Sequence, residues 1–167
     1  MNPKIPVISV VGKSDAGKTT LIVRLIPELK RRGYRVATVK HDVHGFDIDH
    51  PGKDTWFHAR AGADVVAISS PNKLAFIEKV QNETPLDEIR KRIKNVDLII
   101  TEGYKREDKP KIEVHRAAVK GPLLCRPEEL LAVVTDEPLN ENITSFGFDE
   151  IESLVNLIET KILTDKD

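Results

Sequence analysis

The strongest indication of fold in this chain is the stretch Val7–Leu25, which reads VISVVGKSDAGKTTLIVRL. It begins with an apolar run, continues through a loop of small and polar residues, and ends in the first turns of an amphipathic helix. Gly12, Gly17, Lys18 and Thr19 match the spacing G-x-x-x-x-G-K-[ST] of a Walker A loop. The stretch therefore predicts a strand, a phosphate-binding loop and a helix in direct succession.

Each residue type in this loop has a physical role in holding a phosphate. The glycines let the backbone curl so that several N–H groups point inward, and the following helix adds the positive end of its dipole. The pattern places Lys18 at the β- and γ-phosphates and the hydroxyl of Thr19 at Mg²⁺. The predicted nucleotide-binding residues of the loop are Gly12, Lys13, Ser14, Asp15, Ala16, Gly17, Lys18, Thr19 and Thr20.

Length and composition are typical of one soluble globular domain. The chain has 167 residues, of which 40% are apolar and 32% are charged, and its formal net charge is -1. This charge predicts no broad basic field for nucleic acid or a membrane surface, and no apolar run approaches the roughly 20 residues of a membrane span. Cys125 is the only cysteine, which fits a reducing compartment. We expect a cytoplasmic protein with a single domain over residues 1–167 and a frayed tail at residues 164–167.

Apolar runs alternate with helical patterns along the chain. Helices are predicted from Gly17 to Arg32, from Asp54 to Arg60, from Thr84 to about Lys94, and after a cap at Asp149. Strands are predicted over residues 5–11, 34–40, 64–70, 73–80, 97–101, 111–115 and 129–135. This alternation predicts an α/β fold of the P-loop NTPase type, with a mainly parallel sheet and helices on both faces.

Two residues define the predicted course of the first helix. Pro27 removes one helical hydrogen bond, so we expect a kink or break near residues 23–26. Gly33 supplies the signal that ends the helix.

Polar residues at strand ends are candidates for the site, because ligands bind at the carboxyl ends of parallel strands. Glu102 follows the apolar run DLIIT and is the candidate carboxylate of a magnesium shell, and Gly103 is a candidate N–H donor to the terminal phosphate. Asp42 follows the second predicted strand and is a candidate to bind the metal or position a water; an ordinary solvated loop is the alternative. The predicted catalytic residues are thus Lys18, Glu102 and Asp42, and the predicted metal ligands are Thr19, Glu102 and Asp42.

Thr135 and Asp136 follow a late apolar strand, where base-reading residues usually lie in such folds. An aspartate accepts hydrogen bonds from the N1–H and the N2 amine of guanine, and adenine offers neither arrangement. The pair therefore favours guanine, and the alternative is an aspartate of an ordinary turn.

Lys13 directly follows the first glycine of the loop. In dimeric proteins with a deviant Walker A loop, a lysine at this place reaches a nucleotide across the dimer interface. Those proteins usually carry glycines where Ser14 and Asp15 stand here, so a solvated lysine or a partner in the same chain is favoured.

The segment from His41 to Asp54 is long and polar, and connections beyond about 12 residues are usually functional or disordered. Together with the following helix it holds His41, His44, His50 and His58, alongside Asp42, Asp47, Asp49 and Asp54. Their spacing fits no compact zinc template, and no cysteine contributes. We expect a polar ligand-binding loop whose histidines contact an anionic molecule, with a metal site as the alternative.

Three segments of the sequence resemble the MobB family of molybdopterin-guanine dinucleotide biosynthesis adapter proteins. They are GKSDAGKTTL, KHDVHGFDIDHPGKDTWFHARAGAD and DLIITEGYK, and the resemblance covers roughly residues 5–136. The first is generic to P-loop proteins, whereas DIDHPGKDT followed by AGAD is far more specific. The resemblance implies a homodimeric P-loop protein that binds GTP with Mg²⁺, hydrolyses it weakly and assists a MobA-like guanylyltransferase, which attaches GMP to molybdopterin.

The resemblance also implies roles for individual residues. Glu102 takes the Walker B position, with Gly103 and Lys105 beside it. The switch-like loop contributes Lys40, His41, Asp42 and His44, and beyond it lie Asp49, Gly52, Lys53, Asp54 and Thr55. A second site is a hypothesis, in which Lys40, His44, Lys53 and His58 hold the phosphate or pterin of molybdopterin. The full set of candidates for a cofactor or a partner, here called the second-site residues, is Lys40, His41, His44, Asp49, Lys53, Asp54, His58 and Lys105. Lys13, Asp15 and Pro27 depart from the family pattern without removing a phosphate ligand.

Two other functions are compatible with the phosphate loop. A small-molecule kinase would need an acceptor pocket and usually an arginine-rich lid, which this sequence does not clearly show. A metal-delivery GTPase would use the histidines of the long loop. Any turnover is expected to be that of a weak GTPase at most, because no obvious catalytic base or arginine finger accompanies the loop; Arg106 is the nearest candidate finger.

Overall fold

A computed structural model describes residues 4–139 and 142–163, which form two compact units. The first unit contains the described residues up to His41 and from Arg90 onward, and the second is Asp42–Ile89. One domain over the whole chain stays a prediction. The tail expected to fray, residues 164–167, lies outside the described residues.

The described residues form eight strands and four α-helices. In chain order these elements are β1 (Val7–Val11), α1 (Lys18–Arg31), β2 (Val36–Lys40), α2 (Asp54–Arg60), β3 (Val65–Ser70), β4 (Lys73–Glu78), α3 (Leu86–Arg92), β5 (Leu98–Glu102), β6 (Lys111–His115), β7 (Leu130–Thr135), β8 (Ser145–Phe146) and α4 (Ile151–Ile158). A 3₁₀ turn at Pro127–Glu129 precedes β7, and a π-helical segment at Glu159–Leu163 follows α4. None of the helices within residues 4–139 and 142–163 has the length and apolar character needed to cross a membrane.

The first unit is built on a six-stranded sheet with the order β2-β5-β1-β6-β7-β8. Every neighbouring pair in this sheet is parallel. The P-loop strand β1 therefore lies inside the sheet, between β5 and β6. The predicted α/β fold with a mainly parallel sheet is confirmed. Because the strands are parallel, the carboxyl ends that were considered as site candidates in this unit all lie at the same end of the sheet.

One face of the sheet packs against α1 and α4 in an aliphatic core. Ile8 and Val10 of β1 are fully buried there with Leu21 and Leu25 of α1 and Ile158 of α4. Because successive strand residues point to opposite faces, the intervening Ser9 lies on the other face. This burial fixes the direction of β1 and α1, and thereby the position of the loop that joins them.

The other face carries buried polar groups whose hydrogen bonds are made. Thr101 Oγ1 donates to Ser9 Oγ at 2.9 Å between the central strands. The carboxylate of Glu113, which is 1% exposed, accepts the backbone N–H groups of Leu124 at 2.6 Å and Cys125 at 3.0 Å. Glu113 thus holds the connection that follows β6 against the sheet.

The predicted break in the first helix is wrong, because α1 runs continuously through Pro27. Leu25 before the proline and Leu29 after it are both fully buried, so packing holds the helix together across the lost hydrogen bond. The predicted end is confirmed: Gly33 has φ +89°, and its N–H donates to Lys30 O while Tyr34 N–H donates to Leu29 O. This pair of bonds is a Schellman motif.

Two features near the C-terminal end differ from the sequence prediction. β8 was not predicted, because two residues are too few to show an alternating pattern. Asp149 does not cap the last helix: Glu150 precedes α4, and the Asp149 carboxylate is bound by Arg24 of α1 at 2.9 Å. The favourable charge pair with a neighbouring helix replaces the capping bond.

The second unit contains an antiparallel hairpin of β3 and β4 together with α2. The hairpin register pairs Ala67 with Phe76 and Ser69 with Leu74. Phe76 is 66% exposed and Leu74 60% exposed, although both are large apolar residues. The hairpin therefore presents apolar side chains to its surroundings.

Candidate nucleotide-binding site

The loop between β1 and α1 has a backbone that depends on glycine. Gly12 has φ +148° and Gly17 has φ +100°, and Asp15 between them has φ +60°. A Cβ on Gly12 would lie 2.5 Å from the carbonyl oxygen of Val114 on β6, which is a severe overlap. The curled loop therefore needs glycine at the position where the Walker A pattern places it.

Lys18 and Thr19 begin α1 and take up the positions that phosphate chemistry needs. Lys18 Nζ donates to the carbonyl oxygens of Gly12 at 3.1 Å and Lys13 at 2.8 Å, so its ammonium lies over the loop. Thr19 Oγ1 donates to Glu102 Oε1 at 2.8 Å. The structure thus joins the phosphate loop to the strand-end carboxylate predicted from the sequence.

The oxygen atoms around Thr19 fit a magnesium ion. Mg²⁺ is usually bound through one or two carboxylates, hydroxyls, waters and substrate phosphates. Thr19 Oγ1 and Glu102 Oε1 supply a hydroxyl and a carboxylate side by side, and Lys40 Nζ lies 4.0 Å from the same carboxylate oxygen. Thr19 and Glu102 would hold the ion. In the part of the chain that the structure describes, no group of three or more His, Cys, Asp or Glu side chains gathers as a metal cluster.

The expected role of the Gly103 N–H does not fit the structure. That N–H donates to Val10 O at 3.0 Å and so continues the ladder between β5 and β1 instead of facing a phosphate. Gly103 has φ +97°, and a Cβ there would lie 3.3 Å from Cβ of His41. The His41 ring in turn stacks on Tyr104 with centroids 4.6 Å apart. Gly103 therefore allows close packing beside Glu102.

Asp136, the predicted base reader, lies at the end of β7 and has protein partners. Its Oδ1 accepts the N–H of Ala117 at 2.9 Å, and its Oδ2 lies 3.5 Å from Nη1 of Arg116. Thr135 is nearly buried, and its hydroxyl both donates to Glu137 O and accepts the Glu137 N–H. Asp136 is the more accessible of the two residues, whereas the Thr135 hydroxyl shapes the turn.

Sequence reasoning missed Arg116 and Phe148 as site residues. Arg116 Nε donates to the carbonyl of Ala16 in the phosphate loop at 3.1 Å, and its guanidinium carbon lies 4.0 Å from the centroid of the Phe148 ring. Arg116 directly follows a predicted strand, so the strand-end rule applied to Glu102 was a usable signal. Phe148 gave no such signal, because β8 before it was not predicted.

Lys13 has a partner in its own chain. Its Nζ donates to the carbonyl oxygen of Lys120 at 2.9 Å, and a Cβ on Gly121 would lie 2.5 Å from the same nitrogen. Of the alternatives left by the sequence, this geometry favours the partner in the same chain.

The second-site residues divide between the two units. Lys40, His41 and Lys105 belong to the first unit, and His44, Asp49, Lys53, Asp54 and His58 belong to the second, as does Asp42. Within the second unit, Asp42 Oδ1 accepts the N–H of His44 at 2.9 Å, and Asp49 Oδ1 accepts from Thr55 Oγ1 at 3.0 Å. Oδ2 of Asp49 is buried without a hydrogen-bond partner among the described residues. The second site, and the catalytic and metal roles of Asp42, stay predictions.

Cys125 has the environment of an inert thiol. Burial, together with the carboxylate of Glu113, raises the pKa of Cys125 to about 12. Since the thiolate is the nucleophilic form, this side chain is protonated at neutral pH.

A Walker A loop between a central parallel strand and a helix, bonded to a carboxylate on the adjacent strand, is the arrangement of a P-loop NTPase-like fold. The family model of MobB, described as molybdopterin guanine dinucleotide synthesis protein B, matches residues 7–136. The chain belongs to the MobB family.

Individual relatives agree with this assignment over nearly the whole chain. The molybdopterin-guanine dinucleotide biosynthesis adapter protein of Haemophilus influenzae is 35% identical over 161 residues, which cover 95% of this chain and 90% of that protein. The adapter protein of Escherichia coli K12 is 34% identical over 164 residues, covering 92% of this chain and 91% of that protein. The crystal structure of a molybdopterin-guanine biosynthesis protein B shares 39% identity with a TM-score of 0.72, covering 92% of this chain and 97% of that one.

Proposed function

We propose that this chain is an adapter in molybdopterin guanine dinucleotide synthesis and that it binds GTP with Mg²⁺ at its phosphate loop. The observation that carries the proposal is the hydrogen bond between Thr19 Oγ1 and Glu102 Oε1, which sets a hydroxyl and a carboxylate beside Lys18. The names of the similar Haemophilus influenzae and Escherichia coli proteins support the adapter role.

The residues of the loop would share the work of binding. The backbone N–H groups of the curled loop and the first turn of α1 would hold the phosphate oxygens. The ammonium of Lys18 donates to carbonyl oxygens of the same loop, and on nucleotide binding it would donate to phosphate oxygens instead. Thr19 and Glu102 would hold Mg²⁺, which would neutralise part of the negative charge of the phosphates.

The proposal includes slow hydrolysis at most. Fast turnover in P-loop enzymes needs a group that orients the attacking water and usually an arginine that meets the transferred phosphoryl group. Arg116 contacts the phosphate loop, but its guanidinium is bonded to Ala16 O and close to Asp136. Slow hydrolysis would leave the nucleotide intact for an adapter to pass to its partner enzyme.

The proposed partner is a MobA-like guanylyltransferase, which attaches GMP to molybdopterin. In this role the protein would deliver nucleotide or molybdopterin in the cytoplasm. The buried unpartnered oxygen of Asp49 supports a polar ligand on the loop of the second unit, because such an oxygen lacks the hydrogen bond it had in water. Lys53→Ala would test this second site by titration with molybdopterin, and unchanged affinity would count against it.

We also propose that two copies of the chain associate through the hairpin of the second unit. An isolated two-stranded hairpin is marginally stable in water and needs further packing. Here the Ala67–Phe76 and Ser69–Leu74 pairs lie on one face, and Phe76 and Leu74 are mostly exposed. A second copy offers the same apolar strands and satisfies the self-complementarity of a two-fold interface.

The nucleotide part of the proposal is tested by titrating GTP and ATP with and without Mg²⁺. We expect tighter binding of GTP, a loss of at least about tenfold for Lys18→Ala, and a loss of the magnesium dependence for Thr19→Ala. Lys30→Ala, at an exposed position of α1, is the matched lysine control. Absence of binding at millimolar nucleotide, or a Lys18→Ala variant equal to the wild type, would refute the proposal.

The adapter part is tested by adding the protein to a purified guanylyltransferase with molybdopterin and GTP. We expect more molybdopterin guanine dinucleotide with the wild type than with Lys18→Ala. A metabolite phosphorylated at the expense of ATP would instead favour the kinase, and bound zinc or nickel in stoichiometric amount would favour metal delivery.

A further inference from the structure

Arg116 connects four loops at the edge of the sheet where the phosphate loop lies. It begins the connection after β6, donates to Ala16 O in the loop after β1, and lies 3.5 Å from Asp136 after β7. Its guanidinium also lies over the ring of Phe148, which follows β8. One side chain thus contacts the phosphate loop, the predicted base reader and an aromatic ring.

The strand order tells which end of a nucleotide lies near Arg116. In the proposed nucleotide site, Glu102 and Thr19, which are hydrogen-bonded to each other, would lie at the end that holds magnesium and the terminal phosphate. Glu102 is on β5, on one side of β1. β6, β7 and β8 follow on the opposite side of β1, each about 4.8 Å from the last. A nucleotide with its terminal phosphate beside Glu102 therefore extends its base toward Arg116, Asp136 and Phe148.

The groups at that end have the chemistry of a base site. Guanidinium planes and aromatic rings stack on one another and on flat π-systems. Arg116 and Asp136 remain accessible, with side chains 35% and 38% exposed. A carboxylate has about four acceptor positions, so Asp136 can bond its present partners and still accept from a base.

We infer that Arg116, stacked on Phe148, forms the base subsite of the nucleotide site and couples Asp136 to the phosphate loop. This inference rests on the proposed GTP binding and adds two residues to it. The ligand class is a purine nucleotide whose base offers N–H donors to a carboxylate, as guanine does. Arg116 is a specificity-determining residue: it holds the base reader at a fixed distance from the phosphates through its bonds to Ala16 and Asp136.

The competing explanation is that Arg116 only supports the phosphate loop from outside through Ala16. A triphosphate without a base distinguishes the two roles. If Arg116 only supports the loop, its loss should lower the affinity for GTP and for inorganic tripolyphosphate equally. If it forms a base subsite, its loss should lower the affinity for GTP alone.

The experiment titrates GTP, ATP and tripolyphosphate, each with Mg²⁺, onto the wild type and Arg116→Ala. We expect GTP affinity to fall about tenfold or more and the preference for GTP over ATP to shrink, because a charge-assisted hydrogen bond and a stacking surface are lost. Tripolyphosphate affinity should stay within about twofold. Arg126→Ala, an exposed arginine paired with Glu128 and Glu129, is the matched control and should bind all three as the wild type does.

Two further variants keep the test independent of folding effects in Arg116→Ala. Arg116→Lys keeps the positive charge but not the flat guanidinium, so it should behave like Arg116→Ala toward GTP. Phe148→Leu keeps an apolar side chain without the ring and should also reduce GTP affinity more than tripolyphosphate affinity. Because the two side chains contact each other, their effects in the double variant should be less than additive.

The outcomes separate this inference from the proposed function. If the wild type binds GTP and Arg116→Ala weakens GTP and tripolyphosphate equally, or weakens neither, the base subsite is refuted and the phosphate site stands. If the wild type binds neither GTP nor tripolyphosphate, the proposed function itself fails.

Discussion

A single hydrogen atom in place of a side chain decides the shape of the phosphate loop at Gly12. Its φ of +148° is one that other residues rarely adopt, and the Val114 carbonyl occupies the place of a Cβ. Gly33 at the end of α1 also has a positive φ, +89°, but nothing lies within 4 Å of its Cβ position. A substitution at Gly33 would therefore cause backbone strain alone, whereas one at Gly12 would cause both strain and steric overlap.

Gly12→Ala is therefore expected to be more harmful than Gly33→Ala. Backbone strain alone should destabilise Gly33→Ala by about 1 kcal/mol, whereas strain and overlap together should destabilise Gly12→Ala by about 3 kcal/mol and abolish GTP binding. Urea unfolding followed by circular dichroism measures both changes in the free energy of unfolding. Equal losses in the two variants would show that the contact with Val114 has no effect.

The sequence predicted those site residues whose type is dictated by anion chemistry at a fixed spacing. The phosphate loop is such a case. Glu102 was a candidate because it follows an apolar strand, and its hydrogen bond to Thr19 places it beside the loop, while its role toward a metal stays a prediction. The contact of Arg116 with Phe148 was not predictable, since it depends on β6, β7 and β8 lying side by side. Gly103 was misread because spacing does not reveal that its N–H belongs to the sheet ladder.

At the scale of elements, a charged cluster joins the end of α1 to the segment after α4. Glu28 accepts hydrogen bonds from Arg31 and Arg32, and Arg32 also pairs with Glu159. These bonds from Arg31 and Arg32 lower the pKa of Glu28 from its ordinary 4.5 to about 2. The C-terminal turn of α1 is thus held by a carboxylate that stays charged in mild acid.

The lowered pKa of Glu28 predicts a specific pH dependence. A carboxyl whose folded pKa lies below its unfolded pKa stabilises the fold above about pH 4.5, and this contribution disappears as pH falls toward 2. The stability difference between the wild type and Glu28→Gln should therefore be largest at neutral pH and shrink through that window. Thermal unfolding from pH 7 to pH 2 measures it, with Glu128→Gln as the exposed control; a difference independent of pH would contradict the assignment.

Elements with a long periodic pattern were predicted to within a few residues, and the exceptions have physical causes. The strands of the central sheet and the amphipathic helices were predicted from the spacing of their buried apolar residues. The break predicted at Pro27 of α1 does not occur, because tertiary packing at Leu25 and Leu29 outweighs one lost hydrogen bond. β8 has two residues and therefore no period to detect.

At the scale of the whole molecule, the hairpin variant Phe76→Glu tests self-association. A charge at this exposed apolar position should prevent two copies from packing, because the interface would have to bury it. We expect the wild type at twice the chain mass of 18.7 kDa and Phe76→Glu at the chain mass itself, by light scattering after gel filtration.

A matched change elsewhere in the same unit provides the control. Phe46 is 68% exposed, close to the 66% of Phe76, but lies in the long loop outside the hairpin. Phe46→Glu should remain dimeric. Dissociation of both variants, or of neither, would show that the hairpin is not the interface.

The strand order also affects when the site can form during synthesis of the chain. β1 leaves the ribosome early, yet its neighbours in the sheet are β5 and β6, which are synthesised only after the whole second unit. The β3–β4 hairpin closes over a short turn and can form at once, whereas pairings between distant segments form slowly. The residues from Gly12 to Thr19 are therefore expected to acquire their shape only after translation has passed Glu102, because a nascent chain stalled before that point contains β1 but neither of its complete neighbouring strands.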